Sequence, residues 1–153
     1  MNDALWRALH RLAARLWDTR NFLLRPTITG AIVLVRVGEQ LLLIRLSYRP
    51  WYTVPGGRVD RGEAPRLAAA RELREEVGLV VAPEALRALG EFVVHHSNTE
   101  DHVHAFELRL AAKPELHIDS REVVWAGFHP EATLGELFLW RVLEVVLASD
   151  ERA

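Results

Sequence analysis

Residues Gly57 to Leu79 read GRVDRGEAPRLAAARELREEVGL, a glycine turn and a helical run carrying five acidic side chains. Glu72, Glu75 and Glu76 stand at i, i+3 and i+4, so on a helix turning about 100° per residue their carboxylates project within an arc of roughly 100°. Leu67, Ala70, Leu73 and Val77 fall on the other side. One face is thus expected to be buried and the other to be acidic. Like charges at this spacing cost a helix a few tenths of a kcal/mol each. A hard cation removes that penalty. The donors are all oxygen, with no cysteine and no histidine on the helix, which favours Mg²⁺ or Mn²⁺ over zinc.

The same stretch matches a known pattern: Gly57, then Glu63, then Arg71-Glu72-Leu73, Glu75-Glu76 and Gly78-Leu79, each at the required spacing. It resembles the Nudix box at every specified position. The upstream run LLLIRLSYRPWYTVPGG, residues 41–57, is similar to that superfamily's approach to its box. The likeness is specific over residues 28–80 and looser to residue 130. It implies an α/β/α sandwich around a mixed sheet, and divalent-metal-dependent hydrolysis of a nucleoside diphosphate linked to another group X. Carried over by position, the resemblance makes Glu75 and Glu76 metal ligands. Glu72 becomes a third metal-facing group or the one that orients and deprotonates the water, and the Gly57 carbonyl a further ligand. Arg71 and Glu63 become supports, an arginine fork holding a carboxylate and fixing the loop to the helix.

Arg45 closes a predicted strand where many Nudix relatives place a phosphate-binding arginine, and Arg49 follows in a loop. Tyr48, Trp51 and Tyr52 are candidates to stack on a base, although Trp51 is expected to pack beneath the Pro55-Gly56-Gly57 turn. The segment from His95 to His104 is a second concentration of polar chemistry. His102 and His104 alternate onto one strand face, and His95 is placed to meet them across a hairpin. Read as a cleft wall, the segment makes His95 and His102 substrate-binding; read as a metal site, it would need converging neutral imidazoles. Some Nudix enzymes take a base from beyond the box. Here Glu100, Asp101 and Glu122 are available, and Glu122 best resembles that late position.

The 153 residues suit one domain, and the formal charge of −2 gives no basic field for nucleic acid, so no DNA partner is expected. A small nucleotide-type diphosphate fits better. With no cysteine there is no disulfide framework, in keeping with a reducing cytoplasm. Lys113 stands alone against eighteen arginines, a bias that GC-rich bacterial genomes produce. Arg7, Arg11, Arg15 and Arg20 interrupt any signal-peptide core.

Residues 1–25 read as a helical extension and 26–153 as the Nudix domain. In the extension Leu5, Leu9, Leu12, Ala13 and Leu16 recur at helical spacing, widened by Trp6 and Trp17, which predicts about four turns packed on the domain or on a second subunit. A basic amphipathic helix can also lie on an anionic membrane, a role not expected here. Pro26 ends it. Strands are predicted at Thr27–Val37, Gln40–Leu46, Thr53–Val54, Leu79–Val81, Gly90–His95, Val103–Leu110 and Val123–Phe128. The box helix is predicted from about Ala64 to a left-handed cap at Gly78. A last helix, Thr133–Ala148, is apolar on most sides and needs two partners, one of them the N-terminal helix or a dimer mate. A homodimer through these two helices is the expected assembly. The competing functional class is a Nudix-fold nucleotide sensor without turnover.

Overall fold

A computed structural model describes residues 3–24, 27–96 and 99–150. Among the described residues three α-helices, α1 (Asp3–Leu24), α2 (Pro65–Val77) and α3 (Arg141–Asp150), accompany seven strands. The strands are β1 (Thr27–Val37), β2 (Gln40–Leu46), β3 (Tyr52–Thr53), β4 (Gly56–Arg58), β5 (Arg87–His96), β6 (Thr99–Arg109) and β7 (Val123–Pro130). They form one mixed sheet in the order β3-β2-β1-β6-β5, with β4 added on β1 and β7 on β2.

The alternation of β1 builds both layers. Ala31, Val33 and Val35 face α2 together with Leu42, Ile44, Ala69, Leu73 and Val77. Ile32 and Leu34 face α3 together with Leu41, Leu43, Val142, Leu143 and Val146. A strand buried on both sides reads as a continuous apolar run, as TITGAIVLV does. β1 lies parallel to β6 along most of its length. On its other edge it changes partner: Gly30 to Ile32 pair with β4, and Arg36 and Val37 pair with β2. The sheet therefore forks beside the glycine pair Gly56-Gly57, against which α2 is laid.

Several expectations need correction. Leu67, assigned to the core, is 51% exposed, and the buried residues of α2 are Ala68, Ala69, Leu73, Glu76 and Val77. The helix is rotated so that part of its acidic face is turned inward, because Gly56 and Gly57 offer backbone there instead of side chains. Leu79–Val81 is not a strand. The amide of Leu79 donates to the Leu73 carbonyl, closing the cap with Gly78, and Val80 is exposed. Gly78 has φ +75, the left-handed cap read from the sequence. Pro55-Gly56-Gly57 is more than a turn, since Gly56 and Gly57 lie in β4.

The helix expected over Thr133–Ala148 is two pieces, a 3-10 turn at Glu131–Glu136 and α3. Between them the backbone pairs with β3: Tyr52 N–H donates to the Phe138 carbonyl and Trp140 N–H to the Tyr52 carbonyl, both at 2.9 Å. Extending the sheet edge satisfies those groups better than an apolar helix with no second partner would. Trp51, expected beneath the glycine turn, is found against the C-terminal segment. Its ring meets Phe138 edge-on at 6.0 Å.

α1 is 22 residues long, about six turns, and its leucine stripe is largely open to solvent. Leu5, Leu9, Leu12 and Leu16 are 47–63% exposed. The side chains of Arg7, Trp17 and Arg20, and all of Pro26, Ser97 and Asn98, lie outside the described residues. Among the described residues no helix is long and apolar enough to cross a membrane.

Candidate active site

The site is built where α2 lies across β4. Gly56 N–H donates to Glu76 Oε2 at 2.8 Å, which draws a carboxylate into the protein where it is only 8% exposed. Burial pushes the Glu76 carboxyl well above the usual range against that hydrogen bond, and the charges of Glu72, Glu122 and Glu75 push it further. Gly57 leaves room for Glu72: a Cβ at Gly57 would lie 2.4 Å from Glu72 Oε1. Glu72 is raised too, first by burial and then by Glu75 and Glu122, with Arg71 pulling the other way. Glu75 is the outward member, its side chain 49% exposed.

Arg71 organises the rim. Its Nε and Nη2 hold Glu63 in a two-point fork, both at 3.1 Å. Nη1 reaches Glu72 at 2.7 Å and Glu75 at 3.3 Å, and Nη2 also donates to the Arg58 carbonyl at 3.0 Å. Glu63 is lowered by the Arg71 hydrogen bonds first and by the Asp60 amide second. One guanidinium thus ties the loop after β4 to three carboxylates, planar fork chemistry that lysine does not reproduce.

Glu122 arrives from the segment before β7. Its carboxylate accepts the Tyr48 hydroxyl at 2.7 Å, and its backbone carbonyl accepts Ser47 N–H at 2.8 Å. Burial, then the Glu122 charge, pushes the Tyr48 phenol up. The sequence reading treats Tyr48 as a stacking surface and contains no hint of the Tyr48–Glu122 bond, whose partners are 74 residues apart. A tyrosine in an otherwise polar loop next to a sheet was the available signal. Arg49 lies over the rings of Tyr48 and Trp51, at 5.6 and 5.3 Å. Arg45 is exposed at the end of β2, facing Tyr52 and Trp125 in register.

The histidine segment makes its contacts elsewhere. His102 is bracketed by Glu91 at 2.9 Å and Glu100 at 2.7 Å, and hydrogen bonds to Glu100 first and Glu91 second raise its pKa. His95 is 3.7 Å from Glu100. These residues share one face of the β5–β6 hairpin, as their spacing suggested, and among the described residues the hydrogen bonds and ion pairs of His95 and His102 go to Glu91 and Glu100.

Glu72, Glu75, Glu76 and Glu122 bring all-oxygen donors together, with Glu76 almost wholly buried and Glu72 and Glu76 raised by burial and by the charges of the others, a donor set suited to a hard divalent cation. The cradle at Gly57 that a Cβ would fill fits the same purpose. As they stand, no three of these groups close on a single point among the described residues, since Arg71 holds Glu72 and Glu75.

Helix, sheet, helix and this acid-lined glycine fork define a Nudix-type chain, and the NUDIX domain family model matches residues 25–144. The protein belongs to the Nudix family. It is 33% identical over 102 residues to a putative 8-oxo-dGTP diphosphatase 2 of Mycobacterium tuberculosis, covering 64% of this chain and 70% of the relative. It is 44% identical over 57 residues to a putative 8-oxo-dGTP diphosphatase of Bacillus subtilis, covering 37% of this chain and 38% of the relative. The chain matches only 38% of the length of the Bacillus relatives. A MutT NUDIX hydrolase from Burkholderia pseudomallei superposes with a TM-score of 0.71 at 18% identity, over 81% of this chain and 98% of that one.

Proposed function

We propose that the protein is a divalent-metal-dependent hydrolase that cleaves the diphosphate linkage of a nucleoside diphosphate carrying another group. The observation that carries the proposal is the placing of Glu76 and Glu72 against the Gly56-Gly57 backbone, where burial raises both carboxyls and the charges of Glu75 and Glu122 raise them further. Glu72, Glu75, Glu76 and the Gly57 carbonyl would hold Mg²⁺ or Mn²⁺. The bound cation would neutralise the diphosphate oxygens and the charge that develops on them.

The chain's own groups then have separate tasks. Arg71, fixed by Glu63, keeps Glu72 and Glu75 aimed. Water forms its bond to phosphorus as the phosphoanhydride P–O bond breaks, and its proton passes to Glu72 or Glu122. Tyr48 holds the Glu122 carboxylate in place through its hydroxyl. Arg45 and Arg49 are assigned to substrate phosphate, and Tyr48, His95 and His102 to the walls of the cleft. In this reading residues 26–153 are the catalytic domain, 1–25 an extension, and a reducing cytoplasm the compartment.

Release of nucleotide product, read by chromatography over nucleoside triphosphates, nucleotide sugars, ADP-ribose and dinucleoside polyphosphates with each cation, tests the reading, since hydrolysis of the linkage gives two phosphorylated products. Glu75→Gln should abolish release with the fold retained. A protein that binds nucleotide equally well with and without that carboxylate, and never hydrolyses it, would instead be a sensor. The stripe Leu5-Leu9-Leu12-Leu16 carries no charge, and Phe138 and Val145 of the C-terminal segment are exposed. Both support a homodimer through the terminal helices. Sedimentation equilibrium should show a dimer that Leu9→Glu and Leu12→Glu together dissociate.

A further inference from the structure

The N-terminal helix meets the domain beside the acids and not along its leucines. His10 stacks on Tyr48 with planes 8° apart and centroids at 6.3 Å, and the Arg121 guanidinium lies 5.8 Å from the Trp6 ring. Tyr48 and Arg121 bracket Glu122, one bonded to it and the other preceding it in the chain. At 100° per residue, Trp6, His10 and Arg11 occupy roughly 140° of the helix, on the side away from the leucine stripe.

Anchored in this way, α1 delivers Arg11 to a cleft of about 330 Å³ that Arg45, Ser47 and Arg49 also line, with no carboxylate among its lining residues. Arg11 and Arg45, two like charges lining one small cleft, repel each other unless an anion lies between them. Their planar forks match phosphate oxygens. Ser47 adds a buried hydroxyl for which the described residues supply no hydrogen-bond partner. The loop that carries these residues turns Tyr48 toward Glu122, so the cleft adjoins the element that positions the acid.

We propose that this cleft receives substrate phosphates beyond the scissile linkage, and that Arg11 is a specificity-determining residue supplied by the extension. The substrate class is then a nucleotide with a polyphosphate tail or a second phosphate-bearing group, in preference to a diphosphate linked to a neutral sugar. The inference rests on the hydrolase reading above for its account of turnover, but not for binding.

Two measurements test it. In turnover, the kcat/KM preference for a nucleoside triphosphate over a nucleoside diphosphate sugar should fall about tenfold in Arg11→Ala, through KM for the triphosphate. Arg11→Lys should recover part of it, and Arg15→Ala, on the same helix outside the cleft, should keep the wild-type preference. In calorimetry with inorganic tripolyphosphate, the wild type should bind and Arg11→Ala should bind about tenfold more weakly. An unchanged preference, or tripolyphosphate affinity independent of Arg11, overturns the proposal. A protein that binds tripolyphosphate through Arg11 yet hydrolyses no nucleotide keeps the cleft and loses the hydrolase reading.

Discussion

Gly57 shows how a single hydrogen atom can set the geometry of a site. Any side chain there meets Glu72, whose Oε1 would lie 2.4 Å from the new Cβ. Gly57→Ala should therefore leave the melting temperature nearly unchanged, because Glu72 can swing outward, yet lower kcat/KM by about 100-fold, the cost of misplacing a catalytic group by roughly 1 Å. An alanine variant with wild-type turnover would mean that Glu72 is not part of the machinery. Arg71 poses the complementary case, in which a cation disciplines acids without touching substrate. Arg71→Lys keeps the charge and loses the fork to Glu63. The concentration of Mg²⁺ or Mn²⁺ giving half-maximal activity should rise about tenfold, typical of removing an outer partner of a metal ligand, with kcat at saturating metal reduced less. A rise in KM for nucleotide at saturating metal, with the metal requirement unmoved, would instead place Arg71 on the substrate.

At the scale of elements, what was legible in the sequence was whatever a local rule specifies. The bounds of β1 and β2, the Gly38-Glu39 turn between them, the Pro65 start and the Gly78 end of α2 follow from branched apolar runs, proline and glycine. The misread elements were decided by distant partners. Residues 137–140 carry a helix-like apolar pattern, but Tyr52, some 86 residues before Phe138 in the chain, takes the Phe138 carbonyl and the Trp140 amide. Leu67 belongs to the apolar set by period, yet the approach of Gly56 to Glu76 rotates α2 and leaves it in solvent. Residue types at box spacing could be read directly; Tyr48 on Glu122 and α1 beside both could not. Gly78 offers a test of the element it ends. It has φ +75, and a Cβ there would lie 2.8 Å from His117 Cβ, in the segment whose amide caps the Val77 carbonyl. Gly78→Ala should destabilise the protein by about 2 kcal/mol through left-handed strain plus that contact, a fall of roughly 5 °C in thermal melts. An unshifted melt would mean that the loop before Glu122 yields freely, and then it is not what holds that acid.

For the molecule as a whole, the two layers are tied at the end of the sheet by one buried cluster. Arg36 of β1 contacts Glu107 of β6 at 2.7 Å, Glu131 at 3.0 Å and Asp150 at the end of α3 at 2.7 Å, while Arg87 and Arg109 close on Glu107 from solvent at 2.8 Å. Burial opposes ionisation of Glu107, but hydrogen bonds from Arg36, Arg87 and Arg109 outweigh it and hold the carboxyl at about 2. A carboxyl depressed on folding binds fewer protons in the native state, so its stabilisation is complete above the unfolded value near 4.5 and disappears as pH falls through 2. At neutral pH it is worth on the order of 3 kcal/mol before screening of the two solvent-facing arginines reduces it. Removing Glu107 leaves Arg36 buried with fewer anions, which costs more than the pair contributes. Glu107→Gln should therefore be less stable than wild type at pH 7 in urea titrations, with the two converging as pH drops from about 4.5 toward 2. Parallel curves over that range would show that acid unfolding starts at other carboxylates, with the raised Glu72 and Glu76 excluded by sign, since groups elevated on folding lose stability as pH rises.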